Sequence, residues 1–263
     1  ISCTPFGQTG PYADWRGYEL NAYHLSATGS RYCGLPDREP LATGEFLADF
    51  FGGAAAAAWG LGAVLGRGQV GGGQHVDCAS AEVLAALVVG SLNVGGYAQD
   101  GVFCRRTGRG MGRACPARIY PCRDGWVFII ALETHQWLGL CRAMGSPDWA
   151  MPELFHELKS RGANRDLIDP MIEQWTLPRS KNEIMDICQA HGCPATALYD
   201  MEDLARLPHL HERDYWRHLE HPALGRVRTL GPVIRLPDCP GAPEAGAPLL
   251  GAHNSDVLAT RQP

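Results

Sequence analysis

A chain of 263 residues, 45% hydrophobic and 19% charged, is long enough for one large domain or two small ones with a proper core. With 23 Lys and Arg against 28 Asp and Glu, the formal net charge of −5 supplies no basic footprint for nucleic acid or an anionic membrane. The 32 Gly and 19 Pro follow no repeat period, which excludes a collagen-like or low-complexity chain.

In chain order, Ile1-Ser2-Cys3 reads as the tail of a strand already under way, so an upstream part of the fold is expected beyond this chain. A Gly/Pro turn from Phe6 to Tyr12 follows, then an amphipathic stretch from Tyr18 to Leu25. Asp49 stands before an apolar run, Phe50 to Leu65, that has no polar face; a helix of that kind is expected to be buried. The run is rich in glycine and stops at Arg67, short of a bilayer span, so no membrane segment is expected. Gly71 to Asp77 reads as a turn and short strand, and Ala79 to Leu92 as a second apolar helix. These pieces suggest the later half of an α/β layered domain over residues 1–104.

Arg105 to Arg113 is basic and Gly-rich, and residues 105–116 read as a loop or linker. The periodicity then changes. Ala117 to Tyr120 and Trp126 to Ala131 form a hairpin signal around Asp124-Gly125. Thr134 is expected to cap a helix carrying Trp137, Leu138, Cys141 and Met144 on one face until Gly145. Asn164 starts another, with Leu167, Ile168, Met171, Ile172 and Trp175 as its stripe. Ser180 to Glu183 is a capping box before Ile184, Ile187 and Cys188. Thr196 to Tyr199 and Val227 to Leu236 are expected strands. Residues 117–236 therefore read as a small α+β domain, and 237–263 as a closing tail.

Asp49 is the residue whose chemistry stands out. Read as the N-cap of the apolar helix, its carboxylate accepts the first free amides and stays ionised, the state a nucleophile requires. Gly52 and Gly53 in the first turn cost roughly 1 kcal/mol each relative to Ala, and close approach of a ligand to bare backbone is one compensation. An ordinary capping Asp with glycines for helix packing satisfies the same pattern. His209, His211, His218 and His221 cluster, but Arg206, Arg213 and Arg217 interleave with them and no Cys pair lies at ligand spacing, so no metal is expected. The 10 Cys are dispersed without a CxxC pair, which fits a reduced, cytoplasmic interior better than a disulfide framework.

Phe6-Gly-Gln-Thr-Gly-Pro-Tyr12, Arg16-Gly-Tyr-Glu-Leu20, Pro40 to Gly44, Leu47-Ala-Asp-Phe-Phe-Gly-Gly53 and Gly73-Gln-His-Val-Asp77 closely resemble the class III CoA-transferase family, the formyl-CoA and carnitine CoA-transferase group. The resemblance continues through Tyr120 to Trp126, Gly192-Cys-Pro194 and His221 to Gly225, and ends in Ala247 to His253, with Ala252 where the family usually has Glu. It implies a partial Rossmann-like large domain plus the small α+β domain, with the tail returning to the large domain. It implies that Asp49 attacks an acyl-CoA thioester, giving a mixed anhydride and then an aspartyl-CoA thioester before an acceptor carboxylic acid takes the CoA. Coenzyme A is thus a substrate, with no permanently bound cofactor.

Thr4, Pro5, Phe6 and Gly7 match the family segment lining the CoA path, and equally read as a Gly/Pro turn after a core strand. Gly108, Gly110 and Gly112 stand where the family places a Gly-rich loop over the aspartyl intermediate, and equally read as a plain linker. Family members form interlocked homodimers, so the resemblance implies one here. A racemase branch uses a His in a "GHD" segment; here Gly17-Tyr18-Glu19 stands there, and a phenol of ordinary pKa near 10 substitutes poorly for an imidazole. Transferase is favoured, with a 2-methylacyl-CoA racemase or a truncated non-catalytic CoA-binding subunit as the alternatives.

Overall fold

The computed structural model describes residues 1–89, 95–101, 106, 108, 114–236, 238 and 245–259. Two compact units divide the chain, Ile1–Thr196 and Ala197–Pro263. The fold is α/β.

The first unit opens with β1 (Ser2–Thr4), followed by α1 (Glu19–Leu25), α2 (Thr28–Tyr32) and the long α3 (Leu47–Val70). The chain then returns as β2 (Asp77–Ala79), which lies parallel to β1 with Ser2 opposite Asp77, Cys3 opposite Cys78 and Thr4 opposite Ala79. From β2 the backbone passes straight into α4 (Ser80–Leu84), then into a π-helical turn, Ala85–Val89, and later α5 (Gly96–Asp100). The apolar stretch expected as one helix from Ala79 is therefore divided: Ala79 still belongs to the strand, and the α-helix gives way to the π-helical turn at Ala85. Ala22, Tyr23, Ala48, Ala81 and Leu84 form the buried cluster here, with Phe6, Leu47 and Phe51 packed against it.

The all-round burial expected of α3 is corrected by the structure. Its buried residues are Ala48, Gly52, Ala56 and Gly60, one small residue every fourth position, which makes a single stripe along the helix. Small side chains let the helix lie close on the two strands: a Cβ at Gly52 would overlap Ser80 Oγ, and one at Gly60 would overlap Ile1 Cδ1. The larger residues Phe50, Trp59, Leu61, Val64 and Leu65 are exposed. By length and composition alone, α3 at 24 residues is also long enough to cross a membrane, which the shorter apolar run had excluded.

Beyond residue 114, β3 (Ala117–Cys122) and β4 (Gly125–Ile130) form an antiparallel hairpin paired from Ala117 and Ile130 to Cys122 and Gly125, with Arg123-Asp124 as the turn. β5 (Ala195–Ala197) takes the other edge of β4. Alternation along β4 sends Val127 and Ile129 inward. Against that face pack α6 (Thr134–Ala143), α8 (Arg165–Thr176) and α9 (Lys181–Ala190), which bury Trp137, Leu140, Ile168, Ile172, Ile184 and Cys188; α7 (Leu158–Ala163) precedes α8. The α9 capping box forms, Ser180 Oγ accepting the Glu183 amide at 3.2 Å. α6 begins one residue earlier than expected: Glu133 is the N-cap, held by Gln136 Oε1, while Thr134 Oγ1 is drawn away to donate to the His156 carbonyl at 2.9 Å. Arg161 is fully buried and donates to five backbone carbonyls, those of Cys115, Ala131, Leu132, Phe155 and His156, over the face of Trp137.

The second unit contains α10 (Met201–Arg206), α11 (Pro208–Glu212), the hairpin β6 (Trp216–His221) and β7 (Gly225–Leu230), and α12 (Asn254–Ala259). The strand expected to run on to Leu236 ends at Leu230, with the Gly231 amide donating to the Tyr215 carbonyl at 2.6 Å as the last contact along the hairpin.

Candidate functional site

Asp49 is not the N-cap of its helix. α3 starts three residues earlier than that reading implies, at Leu47, with Phe46 as N-cap in the left-handed region at φ 30°, a residue whose side chain offers no acceptor. The missing acceptor comes from α1. Glu19 is buried, and its Oε2 accepts the Ala48 amide at 2.9 Å. The Asp49 carboxylate is exposed and has no hydrogen-bond or ion-pair partner among the described residues. Phe50 bonds back to the Phe46 carbonyl, so among the described residues the amides of Leu47 and Asp49 remain without an acceptor. A carboxylate and two free amides thus share the positive end of a 24-residue helix.

The turn after β1 meets this helix start. Thr4 Oγ1 accepts the Gly7 amide at 2.9 Å, Gly7 takes φ +84°, and Asp77 Oδ2 accepts the Gln8 amide at 2.9 Å. Pro5 is tied to α4 through the Ala81 amide at 3.1 Å. Phe6 packs against the cluster that holds Ala48 and lies directly over Gly17, where a Cβ would sit 2.5 Å from the ring. Three segments therefore converge: Thr4 to Gly7, Gly17 to Glu19, and Leu47 to Gly53. Tyr12 and Trp15 extend them as a stacked pair with ring centroids 4.0 Å apart, both edge-on to Phe6. Underneath, burial pushes the Tyr23 phenol up to about 12, so it stays protonated and donates to Cys33 Sγ at 3.1 Å.

The two glycines after Asp49 differ. Gly52 is buried against Ser80 and Cys3, so its small size serves packing, whereas Gly53 is exposed with open space around its Cα. Gly108, at φ +65°, has Leu35 and Pro36 as its nearest neighbours, and Arg106 beside it donates to the carbonyls of Ser30, Leu35 and Arg38. Gly110 and Gly112 lie outside the described residues. Glu19 is the site residue that sequence reasoning missed; a Glu immediately after Tyr18 at a helix start was its only visible signal.

Residues 1–254 match the profile described as CoA-transferase family III. The chain belongs to this family. Among similar proteins of this CoA-transferase family is the succinyl-CoA–D-citramalate CoA-transferase of Chloroflexus aurantiacus, 30% identical over 259 residues that make up 98% of this chain and 64% of the relative. The formyl-CoA:oxalate CoA-transferase of Rhodopseudomonas palustris is 27% identical, covering 95% of this chain and 63% of its own length. A crystal structure of a CAIB/BAIF family protein from Brucella suis superposes with a TM-score of 0.75 at 25% identity, over 98% of this chain and 66% of that one. The chain thus spans somewhat less than two thirds of the length of the curated relatives it matches.

Proposed function

We propose that this chain carries the nucleophilic carboxylate of a CoA-transferase and that Asp49 is that group. Asp49 attacks the carbonyl carbon of an acyl-CoA thioester; the C–S bond breaks and CoA leaves as thiolate, with a mixed anhydride left on Asp49. The thiolate attacks the aspartyl carbonyl of that anhydride, the donor acid departs as its carboxylate, and an aspartyl-CoA thioester remains. An acceptor carboxylate attacks this thioester and expels the thiolate, which then takes the acceptor acyl group and regenerates Asp49. The acyl bond energy is retained throughout, so no nucleotide hydrolysis is required.

The observation that carries this reading is the unpartnered Asp49 carboxylate beside two free amides, with Glu19 holding the capping position instead. Oriented amides at a helix start stabilise negative charge developing on the thioester oxygen. The turn from Thr4 to Gly7, packed against the same helix, is the segment assigned to the CoA chain. The relatives are named for pairing succinyl-CoA with D-citramalate and formyl-CoA with oxalate, which supports short dicarboxylic acids as the acceptor class. Family resemblance supports a homodimer, and the dispersed cysteines without a CxxC pair support a cytoplasmic setting.

Incubation with succinyl-CoA followed by hydroxylamine should convert Asp49 to its hydroxamate, read as a mass shift on the peptide that contains it. Asp49→Asn should abolish the shift. Labelling of another carboxylate, or none from any acyl-CoA, would overturn the assignment, and solvent deuterium entering the acyl 2-position without CoA exchange would point to the racemase instead.

A further inference from the structure

Two thiols face one another beneath the second turn of α3. Cys3 and Cys78 are direct partners in the parallel β1–β2 ladder, so both side chains leave the sheet on the same face. Both reach Gly52: the Cys78 thiol donates to the Gly52 carbonyl at 3.4 Å, and a Cβ placed on Gly52 would lie 3.4 Å from Cys3 Sγ. Adjacent strands run about 4.8 Å apart, inside the roughly 4.4–6.8 Å Cα separation that a disulfide spans. A bridge here requires side-chain rotation and little backbone movement. Access exists from two directions. Cys3 is exposed, and Cys78 lines a cleft of about 580 Å³ together with Trp59, His75, Asp77 and Glu82. A cleft of that size admits a small molecule.

We propose that Cys3 and Cys78 form a reversible dithiol–disulfide site whose oxidant is a low-molecular-weight disulfide such as glutathione disulfide, and that bridge formation alters the helix turn next to Asp49. Cys3, the exposed member, loses its proton to solvent and attacks one glutathione sulfur; the S–S bond breaks and one glutathione thiolate leaves. Cys78 is the resolving thiol, because burial and the adjoining Cys3 thiol push its pKa up and keep it protonated until then. It gives up its proton as it attacks Cys3 Sγ, and the second glutathione thiolate departs. Two protein thiols are oxidised and one glutathione disulfide is reduced to two glutathiones. A bridged sulfur carries no hydrogen, so the Gly52 carbonyl loses the Cys78 donor. The effect on catalysis rests on the reading of Asp49 as nucleophile; the bridge itself does not. Cys188 and Cys193 are also in thiol contact, but both are completely buried and offer an oxidant no approach.

The test is titration of the native chain with glutathione disulfide, followed by alkylation of remaining thiols in denaturant and peptide mapping. The expected product is a loss of two hydrogens with the Cys3 and Cys78 peptides linked, reversed by dithiothreitol. Cys3→Ser should not react, and Cys78→Ser should stop at glutathione on Cys3; being exposed, Cys3→Ser remains informative if Cys78→Ser does not fold. Full alkylation of both cysteines after oxidation, a wild-type product that stops at the mixed disulfide, or a Cys188–Cys193 link in its place would overturn the proposal. Hydroxamate formation at Asp49 is measured separately on reduced and bridged protein: bridging should lower its yield, and an unchanged yield would overturn the coupling. A bridge that forms in protein never labelled at Asp49 would sink the nucleophile reading while leaving the dithiol site intact.

Discussion

Glu19→Ala separates the helix-capping role of one carboxylate from the chemical role of the other. The mutation removes the acceptor 2.9 Å from the Ala48 amide. Glu19 is only 9% exposed, so water replaces that bond poorly. A lost N-cap acceptor costs about 1 kcal/mol, and loss of the charge at the helix start adds about 0.3–1 kcal/mol. The urea midpoint should therefore fall by roughly 0.5–1 M for an m-value near 2 kcal/mol/M. The vacated amide also gives Asp49 somewhere to go. If its carboxylate turns back onto the helix start and recovers about 1 kcal/mol, the exposed form drops to roughly one fifth, because 1.4 kcal/mol is a factor of ten. Acylation of Asp49, followed as hydroxamate against time, should slow by the same fivefold. Glu19→Gln keeps an oxygen acceptor and should lose less than half of each effect. Unchanged urea midpoint and acylation rate in Glu19→Ala, or a Gln variant as impaired as the Ala variant, would refute the capping argument.

Other consequences are equally measurable. Arg161→Met strips five backbone carbonyls, three of them buried, of their donor and should cost about 3–5 kcal/mol, a drop on the order of 10 °C by calorimetry, with Arg161→Lys recovering part. Gly52→Ala forces a methyl into Ser80 Oγ and should destabilise by about 1–3 kcal/mol, and Ser80→Gly in the same chain should restore most of the urea midpoint. Burial pushes the Cys141 thiol up to about 11 and Cys115 up to about 12 from 9.0. The folded chain then holds protons that the unfolded chain releases, so this contribution is intact below pH 9 and is lost as pH rises through 11 to 12. Urea midpoints at pH 8 and pH 10.5 should show the fall, and Cys115→Ala with Cys141→Ala should shallow it.

What was legible in the sequence was local. The capping box at Ser180 forms as read, and the hairpin expected around Asp124-Gly125 forms with its turn one residue earlier, at Arg123-Asp124, Gly125 already pairing with Cys122; both involve residues within a few positions of each other. Trp137, Cys141 and Cys188, placed in the core from helical spacing, are buried. Glu19 was illegible because its partner amide lies 29 residues away, and nothing at position 19 announces what it will face. For the same reason Asp49 was credited with a cap that Glu19 supplies. The burial of α3 was misjudged because hydropathy sums side chains without knowing which of them must make room for backbone. The large apolar residues there look like the core, yet Ala48, Gly52, Ala56 and Gly60 do the packing.

That stripe gives α3 a polarity of tolerance. On one side of the helix a single added carbon meets Ser80 or the Ile1 side chain, whereas Phe50, Trp59 and Leu65, off that stripe, are exposed. A saturation library along the helix should therefore trace a ribbon of intolerant positions winding with a four-residue step, and the smallest side chains in the segment, rather than its bulkiest, will be the ones that cannot be exchanged.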